Sequence, residues 1–223
     1  MTKEEVRKRI INIGIVPVVR VSSAAHALRA AETLCAGGIP IIEITMTVPG
    51  AIDLIAQLAK AGEATLVGAG TVLDAATAKR CMDAGAKFIV SPGLDVATVK
   101  ASNARGVLVM AGALTPNEVI AAWKAGSDFV KIFPCDAVGG ARYIKSLKGP
   151  LPDVPMIPTG GVNLTNVADL IRAGAEAVGV GGELISKAAL SAGNLDQIAA
   201  AAGQYLAAVR EARQTMASQS SGY

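Results

Sequence analysis

Thr115-Pro116-Asn117-Glu118-Val119-Ile120-Ala121-Ala122-Trp123-Lys124-Ala125-Gly126-Ser127-Asp128-Phe129-Val130-Lys131-Ile132-Phe133-Pro134 reads as one helix–strand unit. Its first four residues combine a capping box with a proline in the first helical turn. Gly126 suits the position just past a helix end, where the chain turns left-handed. The apolar run from Phe129 to Phe133 follows almost at once. A continuous run of this kind, rather than an alternating one, is what a strand covered on both faces requires.

The same unit recurs along the chain. Glycines suited to helix ends stand at Gly14, Gly37, Gly62, Gly85, Gly106, Gly126, Gly149 and Gly174, spaced by 23, 25, 23, 21, 20, 23 and 25 residues. Short apolar runs follow them: Ile15 to Val19, Ile39 to Ile44, Thr65 to Val67, Phe88 to Val90, Val107 to Met110, Phe129 to Phe133, Val154 to Ile157 and Ala177 to Val180. Helix starts fall between, with Ser22 or Ser23, Asp74, Thr115 and Asn163 as caps. Eight such units predict an α/β chain folded as a single (β/α)8 TIM barrel over residues 1–223. Residues 1–13 read as a helix covering the barrel bottom, and 214–223, rich in Ser and Gln, as a frayed end. The rival is a doubly wound open sheet. It would want a Gly-x-Gly-x-x-Gly turn after the first strand, where this chain has Arg20-Val21-Ser22-Ser23.

Composition narrows the chemistry. Of the 223 residues 52% are hydrophobic, but only 3% are aromatic, so the core is aliphatic. The net charge of +3 is spread thinly, without the basic stripe and stacking aromatics of a nucleic-acid surface. No apolar stretch reaches the ~18 residues of a membrane span. Cys35, Cys81 and Cys135 form no C-x-x-C pair and read as reduced thiols of a cytoplasmic protein. His26 is the single histidine. This excludes most histidine metal sites and any triad that needs a second imidazole.

In this fold the active site lies at the C-terminal ends of the strands. Two charged residues sit inside strand runs there, Glu43 and Lys131. A buried unpaired charge is costly, so each needs a partner or a shifted pKa. The pair has two readings. One is a buried ion pair that serves packing only; the other is an amine nucleophile with a general acid/base, the minimum set for imine chemistry. Thr159-Gly160-Gly161 and Gly181-Gly182 end the seventh and eighth strands, where such barrels often take an anion on backbone N–H groups. Tight turns without a ligand are the alternative. Arg20, at the end of the first strand, is a candidate for an anion or a solvated rim residue. Thr71 can bind a carboxylate or begin a turn, and Pro92 and Phe133 can wall a small pocket. Cys135, with no histidine beside it in sequence, reads as a passive thiol.

Five segments together resemble the 2-keto-3-deoxy-6-phosphogluconate (KDPG) / 4-hydroxy-2-oxoglutarate aldolase family. They are Ile42-Glu43-Ile44-Thr45, Val67-Gly68-Ala69-Gly70-Thr71-Val72, Ile89-Val90-Ser91-Pro92-Gly93, Val130-Lys131-Ile132-Phe133-Pro134 and Pro158-Thr159-Gly160-Gly161-Val162. Their order and spacing match over nearly the whole chain. The resemblance implies a class I aldolase barrel, a homotrimer, acting on a small 2-keto acid. It implies an imine on Lys131, with Glu43 as shared acid/base, and no metal or organic cofactor. It also implies Thr71 on the pyruvate carboxylate, Phe133 and Pro92 flanking the imine, and Gly160 and Gly161 on a distal phosphate. Cleavage of KDPG to pyruvate and glyceraldehyde 3-phosphate is the expected reaction. The same mechanism on 4-hydroxy-2-oxoglutarate or on the phosphogalactonate epimer is the alternative, and a non-catalytic phosphosugar-binding barrel is the alternative of another class.

Two positions depart from the commonest family pattern. Thr47 stands where many members carry Arg; in the Thr-Val-Pro version of this segment Arg20 is expected to supply the charge, leaving Thr47 as a neutral substrate contact. Glu183 stands where many members carry a phosphate-binding Ser. A carboxylate there is expected to turn away, unless the distal group is not the usual phosphate.

Overall fold

The computed structural model describes residues 1–62 and 64–220. The chain opens with α1 (Lys3–Ile13), capped by a Thr2–Glu5 capping box. Eight strands follow: β1 (Ile15–Val19), β2 (Ile41–Thr45), β3 (Leu66–Gly70), β4 (Phe88–Val90), β5 (Leu108–Ala113), β6 (Phe129–Ile132), β7 (Met156–Pro158) and β8 (Val178–Val180). Between them run α2 (Ala24–Ala36), α3 (Ala51–Lys60), α4 (Ala75–Asp83), α5 (Val96–Ala104), α6 (Pro116–Lys124), α7 (Gly140–Lys148) and α8 (Val167–Arg172). After β8 come α9 (Lys187–Ala192) and α10 (Leu195–Ser220).

From β1 to β7 each strand pairs in parallel with the next in sequence, and β1 also pairs with β8. A single bridge, Thr159 to Gly179, joins β7 to β8 and closes the ring. This is the expected (β/α)8 barrel, and the open-sheet rival falls. Helix α10 packs against both α8 and α2, so it covers the join from outside.

The caps explain where helices start. Ser23, Asp74 and Thr115 each accept the backbone N–H three residues on. Such a cap is worth ~1 kcal/mol because it satisfies an otherwise orphaned amide. The expectation for Asn163 is corrected: Asn166 occupies the cap position of α8, without a side-chain cap bond. The Asn163 side chain instead accepts from Thr165 two residues on and makes a local turn. The end of the chain also differs from expectation. Residues from Gln214 continue α10 as far as Ser220, because Ala212 and Val209 bury one face of that helix and Arg213 is anchored to the carbonyls of Ile11, Asn12 and Glu176. Residues 221–223 lie outside the described residues.

Two apolar layers hold the barrel. The larger lies between strands and helices. The smaller fills the barrel itself at its lower end: Val6 and Ile10 of α1 reach in to Leu66, Phe88, Met110 and Phe129. Helix α1 therefore plugs the bottom, as the sequence suggested. Burying Phe88 or Phe129 contributes ~1.5–3 kcal/mol each.

Glycines shape the inside of this barrel. Strands β3 and β5 run past the ends read from the sequence, through Gly68 and Gly70 and through Gly112. A Cβ at Gly68 would overlap the Phe88 ring, one at Gly70 the Glu43 carboxylate, and one at Gly112 the backbone of Pro92. Glycine weakens a strand, which is why sequence reasoning ends the strand before it. Here each missing side chain is volume that a neighbouring strand fills.

Candidate active site

Glu43 on β2 and Lys131 on β6 come from opposite sides of the ring and meet inside its mouth. Lys131 Nζ stands 3.9 Å from Glu43 Oε1, with both side chains buried. At that distance they form an ion pair but no hydrogen bond. Glu43 Oε1 has no hydrogen-bond partner among the described residues, although it is shielded from solvent. A buried, unsatisfied carboxylate oxygen is expensive, and native proteins keep few of them. Burial holds the Glu43 carboxyl above the usual range, against the opposing pull of the Lys131 and Arg20 charges. Glu43 thus holds a proton more readily than an exposed glutamate does.

Three further features crowd this pair. Gly70, against the Glu43 carboxylate, leads into Thr71, which has φ +56°. A β-branched residue in that region is strained, and such strain collects at functional sites. Gly112 is the strand partner of Lys131, and the Pro92 backbone, just after β4, packs where a Gly112 side chain would stand. Lys131 Nζ also lies 5.4 Å from the centre of the Phe133 ring. This is a cation–π contact between the ammonium and the ring face.

Thr47 is committed elsewhere. Thr45 Oγ1 lies 3.0 Å from the Val19 carbonyl and donates to it; Thr47 Oγ1 lies 2.7 Å from Thr45 Oγ1. A hydroxyl has one hydrogen, so with Thr45 donating to Val19 the Thr47 hydroxyl must donate to Thr45. That leaves Thr47 no proton for a substrate carboxylate. The pair instead ties the end of β1, beside Arg20, to the end of β2.

A cavity of about 340 Å³ opens at the ends of β6, β7, β8 and β1. Arg20, Phe133, Thr159, Gly160, Gly161, Gly181 and Gly182, all singled out from the sequence, line it. Thr47, Thr71 and Pro92 lie at the same end of the barrel but do not line this cavity, which faces the β7–β8 side of the Glu43–Lys131 pair. Glu183 borders it too. Lys187 of α9 lines it too, and sequence reasoning missed it; its one signal was its place shortly after the paired glycines. Cys135 is buried, and burial pushes its thiol up to about 11, so it stays protonated and passive at neutral pH. Among the described residues no group of three His, Cys, Asp or Glu side chains could hold a metal ion, and no helix is long and apolar enough to cross a membrane.

The profile of the KDPG and KHG aldolase family matches residues 6–201. The chain belongs to this family. It is therefore an aldolase, a carbon–carbon lyase. Its relatives include the 2-dehydro-3-deoxy-phosphogluconate aldolase of Pseudoalteromonas atlantica, 33% identical over 86% of this chain and 90% of the relative. Among solved structures, a native KDPGal structure superposes with a TM-score of 0.83 at 30% identity, covering 90% of this chain and 96% of that one. The KDPG aldolase of Legionella pneumophila, with pyruvate captured as a covalent carbinolamine, superposes with a TM-score of 0.81 at 28% identity, covering 87% and 95%. Each match spans most of both chains. Membership in the aldolase family gives the ion pair a chemical context that packing alone does not require.

Proposed function

We propose that this aldolase cleaves 2-keto-3-deoxy-6-phosphogluconate to pyruvate and glyceraldehyde 3-phosphate through an imine on Lys131. The observation that carries the reading is the Lys131–Glu43 pair: an amine beside a buried carboxylate of raised pKa whose Oε1 has no hydrogen-bond partner among the described residues.

In this scheme the Lys131 amine attacks the C2 ketone. Glu43 gives a proton to the departing hydroxyl, and water leaves to form the protonated imine. The imine withdraws electrons from the C3–C4 bond. Glu43, now a carboxylate, takes the C4 hydroxyl proton as that bond breaks, and the aldehyde departs. Proton return to C3 of the enamine and addition of water release pyruvate and restore Lys131. One residue serves as acid and as base in turn, which suits a carboxyl whose pKa is raised above that of an exposed glutamate. The imine is the electron sink, so the scheme calls on no cofactor.

The pair divides the barrel mouth. On the β3–β5 side Thr71 takes the carboxylate of the pyruvyl half, and Pro92 and Phe133 flank the imine. Arg20 supplies the positive charge that Thr47 cannot. On the β7–β8 side Thr159, Gly160, Gly161, Gly181 and Gly182 receive the distal half in the cavity. Glu183 in that cavity is the observation that keeps 4-hydroxy-2-oxoglutarate and the phosphogalactonate epimer as second readings.

Pyruvate release coupled to lactate dehydrogenase, measured on KDPG, its galactonate epimer and 4-hydroxy-2-oxoglutarate, tests the substrate. The highest kcat/KM is expected with KDPG. A higher value with either competitor would move the assignment to that substrate, and no pyruvate from any of the three would sink it. A homotrimer is part of the same proposal, supported by two exposed apolar side chains, Leu73 just before α4 and Val96 at the start of α5. Sedimentation of the free enzyme as a monomer would remove that part.

A further inference from the structure

Three charged residues, Arg20, Glu183 and Lys187, line the cavity near Lys131. Among the described residues none of the three makes a hydrogen bond or an ion pair within 4 Å. Glu183 and Lys187 are four residues apart and both border the cavity, yet they do not neutralise each other. Arg20 lines the cavity from the end of β1, and its charge also reaches Glu43. Lys187 is the cation that borders the cavity from α9, after β8.

Local structure gives no reason for that lysine. It is the first residue of α9, where the helix dipole favours anions over cations. Ser186 caps this helix by accepting the Ala189 N–H, so the start of α9, and with it the Lys187 backbone, is held in place. The preceding turn is held as well, by the Leu184 and Ile185 amides on the Gly181 carbonyl. The lysine thus stands on an anchored segment at the edge of the cavity.

We propose that Lys187 is the specificity-determining residue for the distal end of the substrate: its ammonium takes a terminal phosphate dianion and offsets the repulsion from Glu183. This inference rests on the retro-aldol reading for the substrate's orientation. Two of its tests do not depend on it.

The first is the affinity of the cavity for glycerol 3-phosphate, measured by calorimetry. Lys187→Gln is expected to weaken it ~10–100-fold, the worth of one charge-assisted hydrogen bond, and Lys187→Arg to restore most of it. The second is the charge balance: Glu183→Gln is expected to tighten glycerol 3-phosphate. The third is selectivity. In Lys187→Gln the ratio of kcat/KM for KDPG over unphosphorylated 2-keto-3-deoxygluconate should fall by a similar factor, mainly through KM. Unchanged affinity and an unchanged ratio in Lys187→Gln would overturn the assignment, as would an equal loss on both substrates. Trapping of pyruvate on Lys131 is scored separately, so failure of the imine in the wild-type enzyme shows as no adduct while the glycerol 3-phosphate arms still judge Lys187.

Discussion

Borohydride added with pyruvate is expected to leave a reduced, pyruvate-derived adduct on Lys131 of the wild-type enzyme, and Lys131→Ala is expected to lose both this adduct and turnover. The loss of kcat should be on the order of 10⁴-fold or more, because the amine that forms the covalent intermediate beside Glu43 is gone. The variant should still fold. Removing one partner of a buried ion pair usually costs ~3–5 kcal/mol because the other charge is stranded. Here the stranded group is Glu43, whose raised pKa already favours the neutral form. It can shed its charge by taking a proton, which limits the penalty. Lys131→Arg adds a control: it keeps the cation beside Glu43 but lacks a nucleophilic amine. An adduct on a different lysine, or full turnover in either variant, would reject the imine assignment.

Gly70→Ala is expected to slow turnover by ~10²–10⁴-fold, the range for loss of a general acid/base, and so to match Glu43→Gln. Gly70 is not in the left-handed region, so alanine meets no backbone strain there. The added methyl group instead occupies the space of the Glu43 carboxylate and displaces it from Lys131. The two variants should share a second signature. In the wild type, Glu43 must be ionised for cleavage, so kcat falls as the pH drops through its raised pKa, above the ordinary glutamate value of 4.5. Glu43→Gln has no such group and should lose that limb. Stability has the matching sign: the folded state holds the Glu43 proton more tightly than the unfolded one, so Glu43 opposes folding increasingly as pH rises from 4.5 to its folded pKa, and by a constant amount above it. Kinetic pH profiles of the three proteins are the measurement. A Gly70→Ala enzyme with wild-type kcat and profile would show that the carboxylate does not need its present place.

Some of this site was plain in the sequence. Lys131 stood out because a charge inside an apolar strand needs an explanation, and Glu43 because it offered one. The glycine pairs stood out because they close adjacent strands. The roles of Gly68, Gly70 and Gly112 were not visible, since glycine in a strand reads as an interruption until the side chain that fills its place is known. Thr47 looked like a substrate contact, and only the hydrogen-bond chain through Thr45 to Val19 shows that its proton is already used. Lys187 looked like any surface lysine on a short helix.

The amino-acid sequence alone determined the eight-unit barrel, the plugging helix α1 and the identity of the residues at each strand end. Those features are written in caps, helix-ending glycines and apolar runs, signals that act over a few neighbouring residues. Only the tertiary structure decided that Glu43 and Lys131 come within 3.9 Å across the mouth, that three glycines make room for Phe88, Glu43 and Pro92, and that Arg20, Glu183 and Lys187 share one cavity. These depend on strand register and on ring closure through Thr159 and Gly179, which bring together side chains from strands far apart in the chain.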